Sequence, residues 1–175
     1  MSHLKQRISS LCSDFSSGSP LPTLLSHFTT DPAPSAIEHG AREIAPFLGR
    51  EFTGRSGLTE YFRTVADLLT IEWMHFDPPD TWTIHISPGG AATVWLRGRA
   101  RFAWKTTQQA WNETFAYRLE AVPVPVAADG NNNDDDDWKV RRYEVWADTG
   151  AAYLASKGLL AGGKDEGIWA TNPLG

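Results

Sequence analysis

The stretch LTEYFRTVADLLTIEWMHFD (Leu58–Asp77) decides the fold, because its hydrophobic period changes part-way along it. In the first half, Leu58, Tyr61 and Val65 recur at the spacing of one helix face, which predicts a helix. After Thr70 apolar and polar side chains alternate, which is the period of a strand with one buried face. The stretch therefore marks the point at which the chain passes from helices to a sheet.

The segments on either side of this stretch extend the same division. Upstream, apolar residues repeat at helical spacing from Leu4 to Phe15, Pro22 opens a second short helix, and SAIEHG (35–40) is predicted to form a short strand. Downstream, strands are predicted in TWTIHIS, ATVWLRGRARFAWK, AWNETFAYRLEAV and WKVRRYEVWAD. Helices followed by strands predict an α+β fold in which the helices pack on one face of an antiparallel sheet.

The length of 175 residues suits one domain with one core. Residues 1–157 are predicted to form this domain, and residues 158–175 to form an irregular tail. The acidic run at 127–137 is expected to be an exposed, mobile hairpin tip, because its composition cannot bury enough apolar surface to order it.

The composition favours a cytoplasmic protein whose partner is a small molecule. The formal net charge of -5 argues against nucleic acid and anionic membranes as partners. Cys12 is the only cysteine, so no internal disulfide is expected. The N-terminus lacks the apolar core of a signal peptide, and no stretch approaches the roughly 18 apolar residues that cross a bilayer. Eight Trp, eight Phe and four Tyr predict an aromatic-lined core or cavity.

Four sequence motifs, taken in their order, resemble one family. They are EHG (38–40), FLGREFTGRSGLTEYF (47–62), WNETFAYRLE (111–120) and KVRRYEVWADTGAAYL (139–154). The region from Leu4 to Lys157 is similar to the SnoaL-like branch of the nuclear transport factor 2 superfamily, which includes ketosteroid isomerases, scytalone dehydratases and limonene-epoxide hydrolases. The resemblance implies a cone-shaped, curved antiparallel sheet wrapped around the N-terminal helices, with an internal pocket.

The alternation of side chains separates the two faces of the predicted sheet. The face of the 92–105 strand that carries Gly98 and Ala100 is expected to turn toward the pocket, where these small residues would leave room for a ligand. The arginines of the opposite face are expected to be solvated and to pair with Glu120 or Glu144; an anion-binding patch is the alternative. The residues expected to bind substrate are Phe62, Phe76, Phe102, Trp104, Phe115 and Tyr117.

Three polar residues are candidates for proton transfer. Glu113 stands in an aromatic row of its strand, where burial would raise its pKa; alternatively it reaches water or an arginine near the strand end. His39 is a candidate because histidine as a residue type suits proton transfer near neutral pH. It follows Glu38 in the region where ketosteroid isomerases place a general-base Asp, and a structural role is the alternative. Asp148 ends the last strand, and it could instead cap a C-terminal helix.

Two functions remain open from the sequence. The first is a cofactor-free acid–base enzyme of the cyclase, isomerase, dehydratase or hydrolase type that acts on a small, apolar, oxygenated molecule such as a polyketide or terpenoid intermediate. The second is a non-catalytic ligand-binding or dimerising module. No cofactor is expected, and no spacing of Cys and His residues predicts a metal site. A homodimer is expected through the outer face of the sheet, around Trp95.

Overall fold

A computed structural model describes residues 2–125 and 137–161. The helices are α1 (Ser2–Ser16), α2 (Leu21–Ser26), α3 (Gly54–Leu68) and α4 (Thr149–Ser156). The strands are β1 (Ser35–His39), β2 (Glu51–Thr53), β3 (Leu69–Phe76), β4 (Thr83–Ile86), β5 (Ala92–Trp104), β6 (Ala110–Val124) and β7 (Asp137–Trp146). The predicted acidic tip lies outside the described residues except for Asp137, and so does the predicted tail beyond residue 161.

The strands form one curved, unclosed sheet in the order β2-β1-β7-β6-β5-β3, with β4 paired to β5. All neighbouring pairs are antiparallel except β1 and β7, which are parallel. Register shifts between Ile71 and Trp73 and between Glu120 and Ala121 bend the long strands. This architecture confirms the predicted α+β class, and the parallel pair is its one departure from the antiparallel expectation among the described strands.

The first helix lies inside the curve of the sheet. Its apolar face is almost completely buried at Leu4, Ile8 and Leu11, as its helical spacing requires. It contacts both β3 and β7, although β5 and β6 lie between these strands in the sheet. One helix can touch both only if the sheet curls around it, so these contacts show that the sheet forms a cone around α1.

The other two long helical segments close the cone. Leu58 and Tyr61 bury one face of α3 against β1, β2 and β3. At the opposite end of the chain, α4 packs on β5 and β6 through the buried Ala152 and Ala155. These helices leave a space between themselves, α1 and the concave face of the sheet.

Gly98 does not leave room for a ligand, which corrects the sequence-based expectation. It lies opposite Phe115 on β6, and the aromatic ring occupies the place of the missing side chain. A Cβ atom at Gly98 would lie 2.3 Å from Cζ of Phe115 and 3.0 Å from the carbonyl oxygen of His75. The glycine therefore allows close packing of an aromatic ring over the strand.

The arginines of β5 lie on the convex face, as predicted, but they have different partners. Arg97 and Arg99 both form ion pairs with Asp77, at 2.7 and 3.1 Å. The strand register is the reason, because Arg97 lies opposite Ala116 on β6, well along the strand from Glu120. The expected carboxylates bind arginines of β6 and β7 instead: Glu120 binds Arg118 and Arg141, and Glu144 binds Arg118 and Arg142.

Candidate active site

A cavity of about 420 Å³ lies between the concave face of the sheet and α1, α3 and α4. Its wall is largely apolar and aromatic, as a pocket for a small organic molecule requires. Aromatic side chains of this wall are Phe15, Phe47, Phe62, Phe102, Trp111 and Phe115. The wall also carries carboxyls and tyrosine hydroxyls, whose positions decide what else the cavity can bind.

Glu38 reaches the cavity from β1. Strand alternation puts it on the inner face with the fully buried Ala36, whereas Ile37 and His39 share the outer face. The hydroxyl of Tyr61 on α3 donates a hydrogen bond of 2.7 Å to Oε2 of Glu38. Burial raises the pKa of Glu38 to about 7, and the bond from Tyr61 opposes this rise.

Glu113 reaches the same cavity from the middle of β6. Only 7% of the residue is exposed, and the indole N–H of Trp111 donates a bond of 2.7 Å to its Oε2. Burial is the largest cause that raises the pKa of Glu113 to about 7, opposed by the Trp111 bond. The negative charges of Glu38 and Asp148 raise this pKa further, and a hydrogen bond from the backbone of Asp148 lowers it. Glu113 is thus a buried carboxyl that accepts a hydrogen bond from an indole N–H, rather than an exposed residue at the strand end.

The two glutamates form an interacting pair of ionisable groups. Each has a pKa near 7, and the charge of Glu38 disfavours ionisation of Glu113. Near neutral pH the pair therefore holds about one proton between its two carboxyls. Such a pair can offer a base and an acid in one apolar cavity.

Three tyrosines line the cavity beside these carboxyls. Tyr61, Tyr117 and Tyr143 are all nearly inaccessible to solvent. Burial is the main cause that raises the pKa of each phenol above its usual value. The hydroxyls of Tyr143 and Tyr117 are hydrogen-bonded to one another. The phenols stay neutral across the physiological range, so they act as hydrogen-bond donors and acceptors without charge.

Asp148 serves two neighbouring structures. It lines the cavity, and its Oδ1 accepts a hydrogen bond of 3.0 Å from the backbone N–H of Ala151 as the N-cap of α4. Capping of a C-terminal helix was the alternative interpretation of Asp148, and that helix is present. The residue is exposed, so its carboxylate lies at the solvent-facing edge of the cavity near Glu113.

His39 lies on the other side of the sheet. Its ring stacks on Trp146 with a centroid separation of 4.2 Å and an interplanar angle of 10°. Parallel pairing of β1 with β7 places the two residues side by side. Because neighbouring residues of a strand face opposite ways, a chain that directs Glu38 into the cavity directs His39 out of it.

Four of the six residues expected to bind substrate lie on the cavity wall, namely Phe62, Phe102, Phe115 and Tyr117. The ring of Phe76 lies at a smaller recess beside Pro78 and Trp82, although it also packs against Phe115. Trp104 is buried in the core, outside the described lining.

Sequence reasoning missed the position of Glu38 on the cavity wall and the donors Tyr61 and Trp111. One signal was present, since Ala36 and Glu38 share a strand face and an alanine is easily buried. The neighbouring Ile37 obscured it by suggesting that the other face is the buried one.

The cavity has a polar edge between α1 and α2. Asp14 lines the cavity there, and its carboxylate accepts a bond of 2.7 Å from the Ser19 hydroxyl and lies 2.6 Å from Nε2 of His27. The bonds from Ser19 and His27 lower the pKa of Asp14. Across the edge, the exposed Lys105 donates to the backbone carbonyl of Ala66.

None of the described helices is long and apolar enough to pass through a membrane. No protein-family model matches the sequence, and no curated protein matches it either. Solved structures do match the fold.

A ketosteroid isomerase-like protein from Erwinia carotovora atroseptica superposes with a TM-score of 0.63 at 12% identity, over 83% of this chain and 94% of that one. A nuclear transport factor 2-like superfamily protein from Salmonella enterica gives a TM-score of 0.56 at 18% identity, over 94% of both chains. A protein from Xanthomonas campestris, provisionally named a polyketide cyclase, gives 0.56 at 10% identity, over 89% of this chain and 98% of that one. With this agreement over nearly whole chains, the protein has the cone-shaped α+β fold of the nuclear transport factor 2-like superfamily.

Proposed function

We propose that this protein is a cofactor-free acid–base enzyme that acts on a small, apolar, oxygenated molecule. The observation that carries the proposal is the placement of Glu38 and Glu113 on the wall of one aromatic cavity, each with a pKa of about 7. A general acid or base works best when its pKa lies near the working pH. Two buried carboxyls with such pKa values on the wall of one largely aromatic cavity favour catalysis over simple binding.

The chemistry that this pair suits is proton transfer next to a carbonyl group. The ionised glutamate removes a proton from the carbon adjacent to the carbonyl, and the protonated one gives its proton to the carbonyl oxygen, which yields an enol. Return of a proton to another carbon completes an isomerisation, attack of the enol carbon on a second carbonyl completes a cyclisation, and loss of a β-hydroxyl as water completes a dehydration. The first step is common to all three reactions.

The proposal gives each candidate residue a distinct role. Glu38 and Glu113 are the catalytic residues, and Asp148 is a positioning residue that raises the pKa of Glu113 through its charge. His39 has no part in proton transfer, because its ring is stacked on Trp146 on the convex face. Phe62, Phe102, Phe115 and Tyr117 hold the apolar body of the substrate.

The substrate class rests on the shape of the wall and on the fold. A cavity of about 420 Å³ with an aromatic lining accommodates a substrate with one or a few rings. We place the chain in the SnoaL-like branch, with a polyketide or terpenoid intermediate as substrate. The polyketide cyclase name given to the Xanthomonas protein supports this choice only through the shared fold.

One observation favours the second function, a ligand-binding module without catalysis. Both glutamates already accept hydrogen bonds from the protein, Glu38 from Tyr61 and Glu113 from Trp111. Such bonds satisfy a buried carboxyl without any reaction.

Hydrogen–deuterium exchange separates the two functions. Apolar cyclic ketones such as 1-indanone and 2-tetralone are incubated with the protein in D₂O, and loss of the α-proton signal is followed by NMR. The enzyme is expected to accelerate exchange, and Glu38→Gln and Glu113→Gln are each expected to reduce the acceleration by about 10²–10⁴-fold. Glu60→Gln, which removes the same charge from the exposed side of α3, and His39→Gln are expected to exchange at the parent rate. Ketone binding without accelerated exchange in the parent protein would establish the binding module instead.

We also propose a homodimer that buries the convex face of the sheet. Trp95 and Trp146 are 41% and 36% exposed there, and their rings stack on each other at 5.2 Å. Arginines and glutamates surround them on the same face, so a second copy turned by a two-fold axis meets complementary charges. We further propose a cytoplasmic location for the enzyme. Its support is Cys12, which is buried as a free thiol, the form in which cytosolic proteins keep their cysteines.

A further inference from the structure

The charged groups that line the cavity are mostly negative. Titratable groups of its described wall are Asp14, Glu38, Tyr61, Lys105, Glu113, Tyr117, Tyr143 and Asp148. Four of these are carboxyls and three are phenols, so Lys105 is the one cation of the described lining. Its ammonium group is exposed and donates a hydrogen bond to the backbone carbonyl of Ala66.

The arginines of the sheet do not balance these carboxyls. Arg97 and Arg99 lie on the convex face in ion pairs with Asp77. Arg118 and Arg142 bind Glu144 on the same face. Strand alternation keeps all of them on the side of the sheet opposite to Glu113. Asp14 has His27 beside it, whereas the buried Glu38 and Glu113 accept hydrogen bonds from the neutral donors Tyr61 and Trp111. Among the described residues, the arginines that could pair with these two glutamates therefore lie on the other face of the sheet.

We propose that the cavity selects its ligand by charge, and that the preferred ligand is an apolar ring compound with a protonated amine. An ammonium group beside Glu113 and Glu38 provides the missing counter-ion in a site from which water is largely excluded. A carboxylate or phosphate on the same ring system meets like charge at the same place. The inference rests on the proposed function, because it adds a protonated amine to the apolar, oxygenated substrate class proposed for the same site.

A second consequence concerns protons. Glu38 and Glu113 retain about one proton near neutral pH, since the pKa of each is about 7. A bound ammonium stabilises the ionised carboxyls, so amine binding must release part of that proton to the solvent. A neutral alcohol of the same shape brings no such charge. Proton release is thus a signature of charge pairing that ordinary apolar binding does not produce.

Titration calorimetry with three probes of matched shape tests the inference. The probes are 1-naphthylmethylamine, 1-naphthylmethanol and 1-naphthoate, each titrated into the whole protein at pH 7 in phosphate and in Tris. We expect the amine to bind at least tenfold more tightly than the alcohol, and the alcohol at least tenfold more tightly than the naphthoate. The amine enthalpy should differ between the two buffers by an amount that corresponds to proton release, and the alcohol enthalpy should not.

Variants locate the effect within the cavity. Glu113→Gln is expected to reduce the preference for the amine over the alcohol at least fivefold, whereas Glu60→Gln, with the same change of net charge at an exposed site of α3, leaves it unchanged. Equal binding of amine and naphthoate, or an unchanged preference in both Glu113→Gln and Glu38→Gln, overturns the inference. Failure of all three probes to bind also overturns it. If ketone exchange is still accelerated, none of these results contradicts the acid–base proposal. Failure of the charge-selection inference can therefore be distinguished from failure of the proposed function.

Discussion

The hydroxyl of Tyr61 on α3 donates a hydrogen bond of 2.7 Å to Oε2 of Glu38 on β1. The bond joins the inner face of a helix to the inner face of a short strand across the cavity wall. It stabilises the ionised form of Glu38, while burial favours the neutral form. The pKa of this carboxyl therefore depends on a side-chain contact between helix α3 and strand β1.

Removal of this donor should make Glu38 a weaker acid. In Tyr61→Phe the ring and its packing remain, but the hydrogen bond to the ionised carboxyl is lost, so the pKa of Glu38 should rise above its parent value of about 7. Carbon-13 NMR of the side-chain carboxyl, followed as a function of pH, measures this change. The variant should also lose about 1 kcal/mol of stability. A pKa that stays or falls would show that the bond does not control Glu38.

The buried carboxyls should make the protein less stable as the pH rises from about 4.5 to about 7. Each has an ordinary pKa of 4.5 when unfolded and about 7 when folded, so the folded state binds more protons in this window. The stabilising contribution is complete below pH 4.5 and is lost as the pH passes through 7. Per carboxyl the effect is on the order of 2–3 kcal/mol.

Urea denaturation at several pH values checks this sign. Glu113→Gln should flatten the decline between pH 4.5 and pH 7, because glutamine does not titrate. Glu144→Gln is the matched control. Burial acts to raise the pKa of Glu144, but its bonds from Arg142 and Arg118 help to bring the pKa below the ordinary value. Loss of this residue should therefore leave the decline between pH 4.5 and pH 7 in place. A parent stability that rises steadily through the window would contradict the assignment.

A neutral residue at Asp148 should make Glu113 a stronger acid. The charge of Asp148 is one cause of the raised pKa of Glu113, and Asp148→Asn removes that charge while its side-chain oxygen still accepts from the N–H of Ala151. The pKa of Glu113 should fall, measured by the same NMR titration. Asp148→Ala should lower this pKa too and in addition cost about 1 kcal/mol, because α4 loses its cap. Equal stability of the Asn and Ala variants would exclude the capping role.

Gly98 should not tolerate even a methyl group. A Cβ atom there would lie 2.3 Å from Cζ of Phe115, so Gly98→Ala should destabilise the protein by about 1–3 kcal/mol. In the double variant with Phe115→Leu, the smaller side chain should recover part of that loss. Thermal unfolding of the four proteins gives the coupling energy. If the two effects are simply additive, the ring does not fill the space at the glycine.

The proposed dimer should depend on the exposed tryptophans of the convex face. Trp95→Glu and Trp146→Glu each put a charge into the proposed interface, and both should give monomers in analytical ultracentrifugation at concentrations where the parent sediments as a dimer. Exposed Ile71, which lies at the cavity edge, provides the control substitution Ile71→Glu. A parent protein that is monomeric at high micromolar concentration would remove the dimer proposal.

The sequence was sufficient for the fold and for part of the site. The change of period after Thr70 and the alternation in β5 and β6 predicted α3 and the sheet, because periodicity reports burial directly. The same alternation placed Glu113 in an aromatic row but left open whether its carboxyl is buried. It was insufficient for Glu38, whose short strand offers too few alternations to identify its buried face. The ion-pair partners of Arg97 and Arg99 could not be predicted from the sequence either, since they depend on strand register and on the loop that carries Asp77.

The parallel pairing of β1 with β7 controls when the site can exist during folding. Ala36 lies beside Tyr143 in this pair, about a hundred residues further along the chain. Among the described strands, the other neighbour of β1 in the sheet is β2, a strand of 3 residues. A nascent chain can therefore build its helices and the β5–β6 hairpin while Glu38 still has no fixed position. Closure of so long a loop is slow, so we expect the pairing of β1 with β7, which gives Glu38 its place in the cavity wall, to form late in folding.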